Sequence, residues 1–149
     1  MRRGLVPHGY LDQVSVELLR DMDFVFLSLD KGKPKQLVVE KLVEFGVPFV
    51  DVGMGVYVVE GEHALGGTLR TTLVTPEDHS SIHHINFTDA ADDDAYSTNI
   101  QIVELNAMHA AMAVMAWKRH IGFYKDTAHH SDSAYQICSN YLNGEGPES

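Results

Sequence analysis

The sequence holds a single cysteine, Cys138, in 149 residues, so no internal disulfide can form. That excludes a disulfide-rich secreted scaffold and fits a reducing cytoplasm. Long apolar runs are missing as well: the longest, Ala110 to Trp117, falls far short of the roughly 20 residues of a membrane span. The opening Met1-Arg-Arg-Gly-Leu-Val-Pro-His8 carries two positive charges without an apolar signal core, and reads as no secretion signal. Basic residues are scarce, 11 against 21 acidic, for a formal charge of −10, which argues against a general DNA or RNA binder. The imbalance is concentrated in the second half, where residues 75–149 hold three basic and eleven acidic side chains. No internal repeat is present, and the one low-complexity patch is Asp89-Ala-Ala-Asp-Asp-Asp-Ala95.

What is present is a 44% hydrophobic chain of single-domain size. Such a chain buries roughly two-thirds of its unfolded surface and needs no staple. Val14 to Arg20 is a short amphipathic piece. The compact run Phe24-Val-Phe-Leu-Ser-Leu29 and the segment Pro48-Phe-Val-Asp-Val52 read as strands buried on both faces. Between them Leu37, Val38, Leu42, Val43 and Phe45 recur at helical spacing, with Pro34 in the first turn and Gly46 as the C-terminal cap. A strand, a helix of about three turns and a strand form a βαβ unit with a parallel pair. Val56-Tyr-Val-Val-Glu60 and Gly67 to Val74 are β-rich segments expected to run antiparallel, so the predicted fold is α/β with a mixed sheet. Residues 75–95, with Pro76, five Asp and three His, read as a long loop. From Thr98 to Arg119 the positions Ile100, Val103, Ala107, Met108, Ala111, Met112 and Met115 predict the longest helix, ended by Gly122, with the methionine side as core. Tyr135 to Leu142 predicts one edge strand, and 143–149 an acidic disordered tail.

Three stretches carry a resemblance. Asp23-Phe-Val-Phe-Leu-Ser-Leu-Asp30, Gly46-Val-Pro-Phe-Val-Asp-Val-Gly-Met-Gly55 and Asn99-Ile-Gln-Ile-Val-Glu-Leu-Asn-Ala107 are similar to the later part of the ThiF/HesA/MoeB family, the ubiquitin-activating-like adenylating domains. The similarity spans about Met1 to Leu142, which sets the expected domain limits as 1–142. It implies a Rossmann-like domain that binds ATP and Mg²⁺, adenylates the C-terminal carboxylate of a ubiquitin-like or sulfur-carrier protein, and commonly forms homodimers. By the same resemblance Asp30 serves the triphosphate and its Mg²⁺, and Lys31 and Lys35 stand near the phosphate, although the family usually has asparagine where Lys31 stands.

The family's strand, G-x-G-G-x-G turn and helix are absent from this sequence. The nearest pattern, Gly53-Met-Gly55, leads from a strand into another strand, with Val58 where a third glycine belongs, so it reads as a bend or bulge. The resemblance therefore implies a truncated domain that keeps the second half of the fold and is not competent to adenylate alone. A non-catalytic interaction or oligomerisation module on the same fold is the alternative.

Other residues receive plainer readings. Asp30 could instead cap the helix at 32–45, and Lys31, Lys33 and Lys35 could simply be a solvated first turn, although three cations there oppose the helix macrodipole. His79 and His83, with His84, Asp78 and Asp89, have the spacing of a zinc pair on one helical turn, which would suit a small metal-dependent hydrolase, but no third ligand from another element is evident. Cys138 reads as a small buried residue in a β segment.

Overall fold

The computed structural model describes residues 15–29, 32–88 and 102–145. Among these residues five strands form one mixed sheet in the order β1-β2-β3-β4-β5: β1 (Val25–Leu27), β2 (Phe49–Val58), β3 (Leu65–Val74), β4 (Asp132–Gln136) and β5 (Tyr141–Glu145). Only β1 and β2 run parallel; every other neighbour is antiparallel. The fold is α/β, as the sequence predicts, and matches part of a Rossmann-like arrangement.

Helix α1 (Lys33–Phe45) joins the parallel pair. Pro34 suits its first turn, where no N–H partner is needed. Gly46 ends it at φ 66°, a left-handed conformation, and the amide of Val47 returns to the Leu42 carbonyl. Helix α2 (Val103–His120) is the longest element. Side chains alternate between the faces of a strand, so the two helices divide the sheet. Phe49 and Val74 join Val38, Val39 and Leu42 of α1 in one core, closed by Val16 from the 3₁₀ helix Ser15–Asp21 and by Ile85. On the opposite face Val50 and Val52 meet Ala113 and Ala116 of α2 and the ring of Phe24.

Several local expectations need correction. Gly53 and Gly55 make neither bend nor bulge: β2 pairs with β3 one-to-one from Phe49↔Val74 to Val58↔Leu65. The glycine held by backbone is Gly67, where a Cβ would collide with the Gly55 carbonyl oxygen across the ladder, whereas at Gly66 and Gly144 it would meet the side chains of Tyr57 and His130. The single expected edge strand is a hairpin, with Ile137 to Asn140 turning between β4 and β5 and Asn140 at φ 50°. Cys138 sits exposed in that turn, not buried in a strand. Strand β5 takes in residues 143–145, which the sequence reads as tail. Within the predicted loop, Ser80–His84 winds into a short 3₁₀ helix. The methionine side of α2 is not the core: the residues it buries are His109, Ala113 and Ala116, whereas Val103 is 81% exposed and Met115 47%. Small side chains let the helix lie close on the sheet, and the larger ones are turned away from it.

Candidate functional site

In a strand–helix–strand unit the helix begins over the carboxyl end of the first strand, the edge where α/β sheets bind ligands. Here that edge is the end of β1, and Leu27, its last residue, stands level with Asp51 of β2. Asp30 and Lys31 lie outside the described residues. Lys33 is exposed on the first turn of α1.

Lys35 is neither a solvated lysine nor open to a phosphate. It is only 2% exposed, and its Nζ lies 2.8 Å from Oδ1 and 2.9 Å from Oδ2 of Asp51, itself 3% exposed. The ammonium straddles the carboxylate and donates its hydrogen bond to Oδ2, while Oδ1 lacks hydrogen-bond geometry with any group among the described residues. Burial pushes the Asp51 carboxyl above the usual aspartate range, opposed by the hydrogen bond and charge of Lys35.

The pair begins a polar row across the sheet. Asp51 of β2 stands opposite Thr72 of β3, which stands opposite Asp132 of β4. The Thr72 hydroxyl donates to Asp132 Oδ1 at 2.7 Å, and Arg70 Nη1 donates to Asp132 Oδ2 at 2.5 Å. Asp132 is buried, and the Arg70 side chain is 31% exposed, so the row runs from a closed end at Lys35 to an open one at Arg70. On the other side of β3, His109 of α2 lies 2.7 Å by Nε2 from the Arg70 carbonyl oxygen. Since a carbonyl only accepts, Nε2 carries the proton. Burial holds the imidazole below the ordinary histidine range, in its neutral form.

Chemically this row is a clamp. Two cations and two carboxylates are mutually paired, the row contains no thiol, and its one hydroxyl, that of Thr72, is buried and donates to an Asp132 carboxylate that Arg70 already holds. The histidine segment does not gather a metal site either. His83 Nδ1 is 2.6 Å from the Ser80 carbonyl, its ring packs on His84 at 4.0 Å between centroids, and His84 Nε2 pairs with Glu145 at 3.0 Å. Asp78 accepts from the Ser80 amide and hydroxyl, and Asp89 lies outside the described residues. Among the described residues no cluster of three His, Cys, Asp or Glu could hold a metal ion.

Sequence reasoning missed Asp51, Thr72, Asp132, Arg70 and His109 as a connected set. The one available signal was a carboxylate inside the apolar run Phe49-Val-Asp-Val52, since a buried acid requires a partner. No helix among the described residues is long and apolar enough to cross a membrane. No protein-family model matches the chain, and no curated protein matches it.

Proposed function

We propose that this chain is a ThiF-type domain of the ubiquitin-activating-like class that contributes a protein-binding framework and does not adenylate by itself. The resemblance rests on the residues around Asp30, Asp51 and Asn99, and the strand–helix–strand unit joining the first two is the arrangement such a domain requires. The observation that carries the second half of the reading is the commitment of Lys35 to Asp51. A lysine that serves a triphosphate presents its ammonium to an anionic ligand. This ammonium is buried against a carboxylate of its own chain, and freeing it would strand the Asp51 charge. Lys35 thus does not fit the role toward Mg·ATP that the resemblance assigns to it, and no adenylation step is derived from it.

The partner implied is a ubiquitin-like or sulfur-carrier protein. Where a nucleotide-cradling half is supplied, in trans or by a longer chain, Asp30 and Lys31 are the residues through which this chain would meet Mg·ATP. Calorimetric titration of the full chain with Mg·ATP tests the reading, with Asp30→Ala as the control. No saturable heat is expected from the folded chain. Stoichiometric binding that Asp30→Ala abolishes would overturn the non-adenylating reading and make this chain sufficient for nucleotide. A parallel titration with a ubiquitin-like sulfur carrier is expected to give saturable binding.

A further inference from the structure

Helix α2 packs chiefly on β2 and β3, and the sheet continues past it into β4 and β5. One flank of the helix overlooks that extension. Met108, Met112, Met115 and Arg119 follow one another at steps of four, three and four residues, so at about 100° per residue they stand in one row, about 16 Å long at ~1.5 Å per residue. Beneath the row the strands supply a floor on a single face of the sheet. Thr71 of β3 stands between Val52 of β2 and Ser133 of β4, and Leu142 of β5 pairs with Tyr135, two residues on from Ser133. Flank and floor bound a groove of about 260 Å³. Since a cavity of roughly 150 Å³ holds benzene, this volume suits an apolar body of about ten carbons.

Two features of the lining say that the occupant is not purely apolar. The first is in the floor. Thr71 is 3% exposed, yet its hydroxyl has no hydrogen-bond partner among the described residues, whereas the next residue, Thr72, is satisfied by Asp132. Ser133, its cross-strand neighbour, sets a second hydroxyl beside it. The second feature is in the flank. Arg119 is the one charged residue that lines the groove, it is half-buried, and its guanidinium makes no ion pair among the described residues of a chain whose charge is −10. The last turn of a helix favours a cation, which accounts for the sign of Arg119 and not for its place beside an unsatisfied hydroxyl. A carboxylate answers both: the guanidinium fork donates to its two oxygens, and a hydroxyl donates to a remaining lone pair. A protein segment is a poorer occupant, because its backbone N–H and C=O groups would lie along methionine side chains with nothing to bond. A molecule with its polarity at one end strands no such group, and methionines adapt readily to a chain of methylenes.

We propose that this groove binds a small apolar carboxylic acid, a medium-chain alkanoate of about ten carbons, with its carboxylate on Arg119 and the Thr71 hydroxyl and its chain along Met108, Met112 and Met115. The proposal rests on the lining of the groove and stands independently of the functional reading above.

Calorimetric titration of the full chain with sodium decanoate, kept below its micelle range, is expected to give saturable binding of one decanoate per chain. Decanol, which keeps the hydrocarbon and loses the charge, is expected to bind about tenfold more weakly, and decyltrimethylammonium not at all. Arg119→Gln should weaken decanoate about tenfold. Ala111→Trp, which fills the groove from an exposed position of the helix, should abolish binding with unchanged circular dichroism. Thr71→Val separates the site from the fold. The hydroxyl has no partner among the described residues, so the urea midpoint should not fall, yet decanoate should bind about tenfold more weakly. A wild-type chain without saturable binding would overturn the proposal, the groove then being covered by another segment of the chain or by a different protein. Equal affinity for decanoate and decyltrimethylammonium would overturn it too, by removing the carboxylate from the recognition. So would binding indifferent to both Ala111→Trp and Arg119→Gln, which would place the ligand elsewhere.

Discussion

The two faces of the sheet solve the same burial problem with different materials. The α1 face is filled by large side chains, Phe49, Leu42, Val38, Val39 and Val74, each 2% exposed or less, and closed at one end by the Lys35–Asp51 pair. The α2 face is filled mainly by proximity: Ala113 and Ala116 bring the helix down onto Val50 and Val52, and the Thr71 hydroxyl is buried there without a partner among the described residues. Large residues against a sheet make a deep core that tolerates no solvent. Small ones make a thin layer and leave the bulky side chains of the same helix on its flanks and outer side. The difference predicts where stability resides.

The sharpest break is at the ion pair. Lys35→Met leaves the Asp51 carboxylate buried and unpaired, and is expected to cost about 3–5 kcal/mol in urea unfolding, whereas Lys35→Met with Asp51→Leu should recover most of it. Next, Leu42→Ala on the α1 face should cost about 2–5 kcal/mol through the cavity it leaves. Ala113→Gly on the α2 face is expected to cost only about 1 kcal/mol, chiefly helix propensity. Equal losses at Leu42 and Ala113 would erase the distinction between the faces.

A smaller effect separates the faces by pH. The His109 imidazole titrates below its unfolded value of 6.5 because burial disfavours the cation. As pH falls through 6.5 the unfolded chain takes up a proton that the folded chain refuses, so stability declines from there down to the folded value. Asp51, raised above 3.8, acts in the opposite sense, its contribution growing as pH falls through its own folded value. His109→Gln, which keeps a donor for the Arg70 carbonyl, should flatten the decline below 6.5 in melting experiments; an unchanged slope would assign it to another group. The smallest effect is at the surface, where Glu44→Gln removes the charge from a 2.7 Å pair with Lys41 and should leave the urea midpoint unchanged within error.

Punctuated elements were legible in the sequence. Pro34 and Gly46 bracket α1 because each has a backbone reason to stand where it does, and the apolar runs on either side could only be its strands. The β4–β5 turn was not legible, since Ile137 to Asn140 contains neither glycine nor proline and Asn140 supplies the left-handed residue on its own. On α2 the periodicity was visible but its sense was not. Methionine outweighs alanine in any reading of hydrophobicity, yet close approach to the sheet selects the smaller side chain. The candidate site was half legible: the end of β1 was marked by Asp30, but lysines are rarely buried, so Lys35 read as a surface residue. Its partner was hidden one strand away, at a distance only the register of β1 and β2 reveals.

The row from Asp51 through Thr72 to Asp132 also bears on how the chain assembles. Strands β2 and β3 are neighbours in sequence and meet across a short turn, but Thr72 and Asp132 are 60 residues apart. Closing that loop costs more chain entropy than closing the local β2–β3 hairpin, which favours an order in which that hairpin precedes the docking of β4–β5. Until it docks, β3 presents an open hydrogen-bonding edge in which Leu69, buried in the native state, is uncovered, and that edge can template pairing with another chain. The Arg70 and Thr72 bonds to Asp132 thus fasten β4 over that edge, and with it close the side on which another chain could pair.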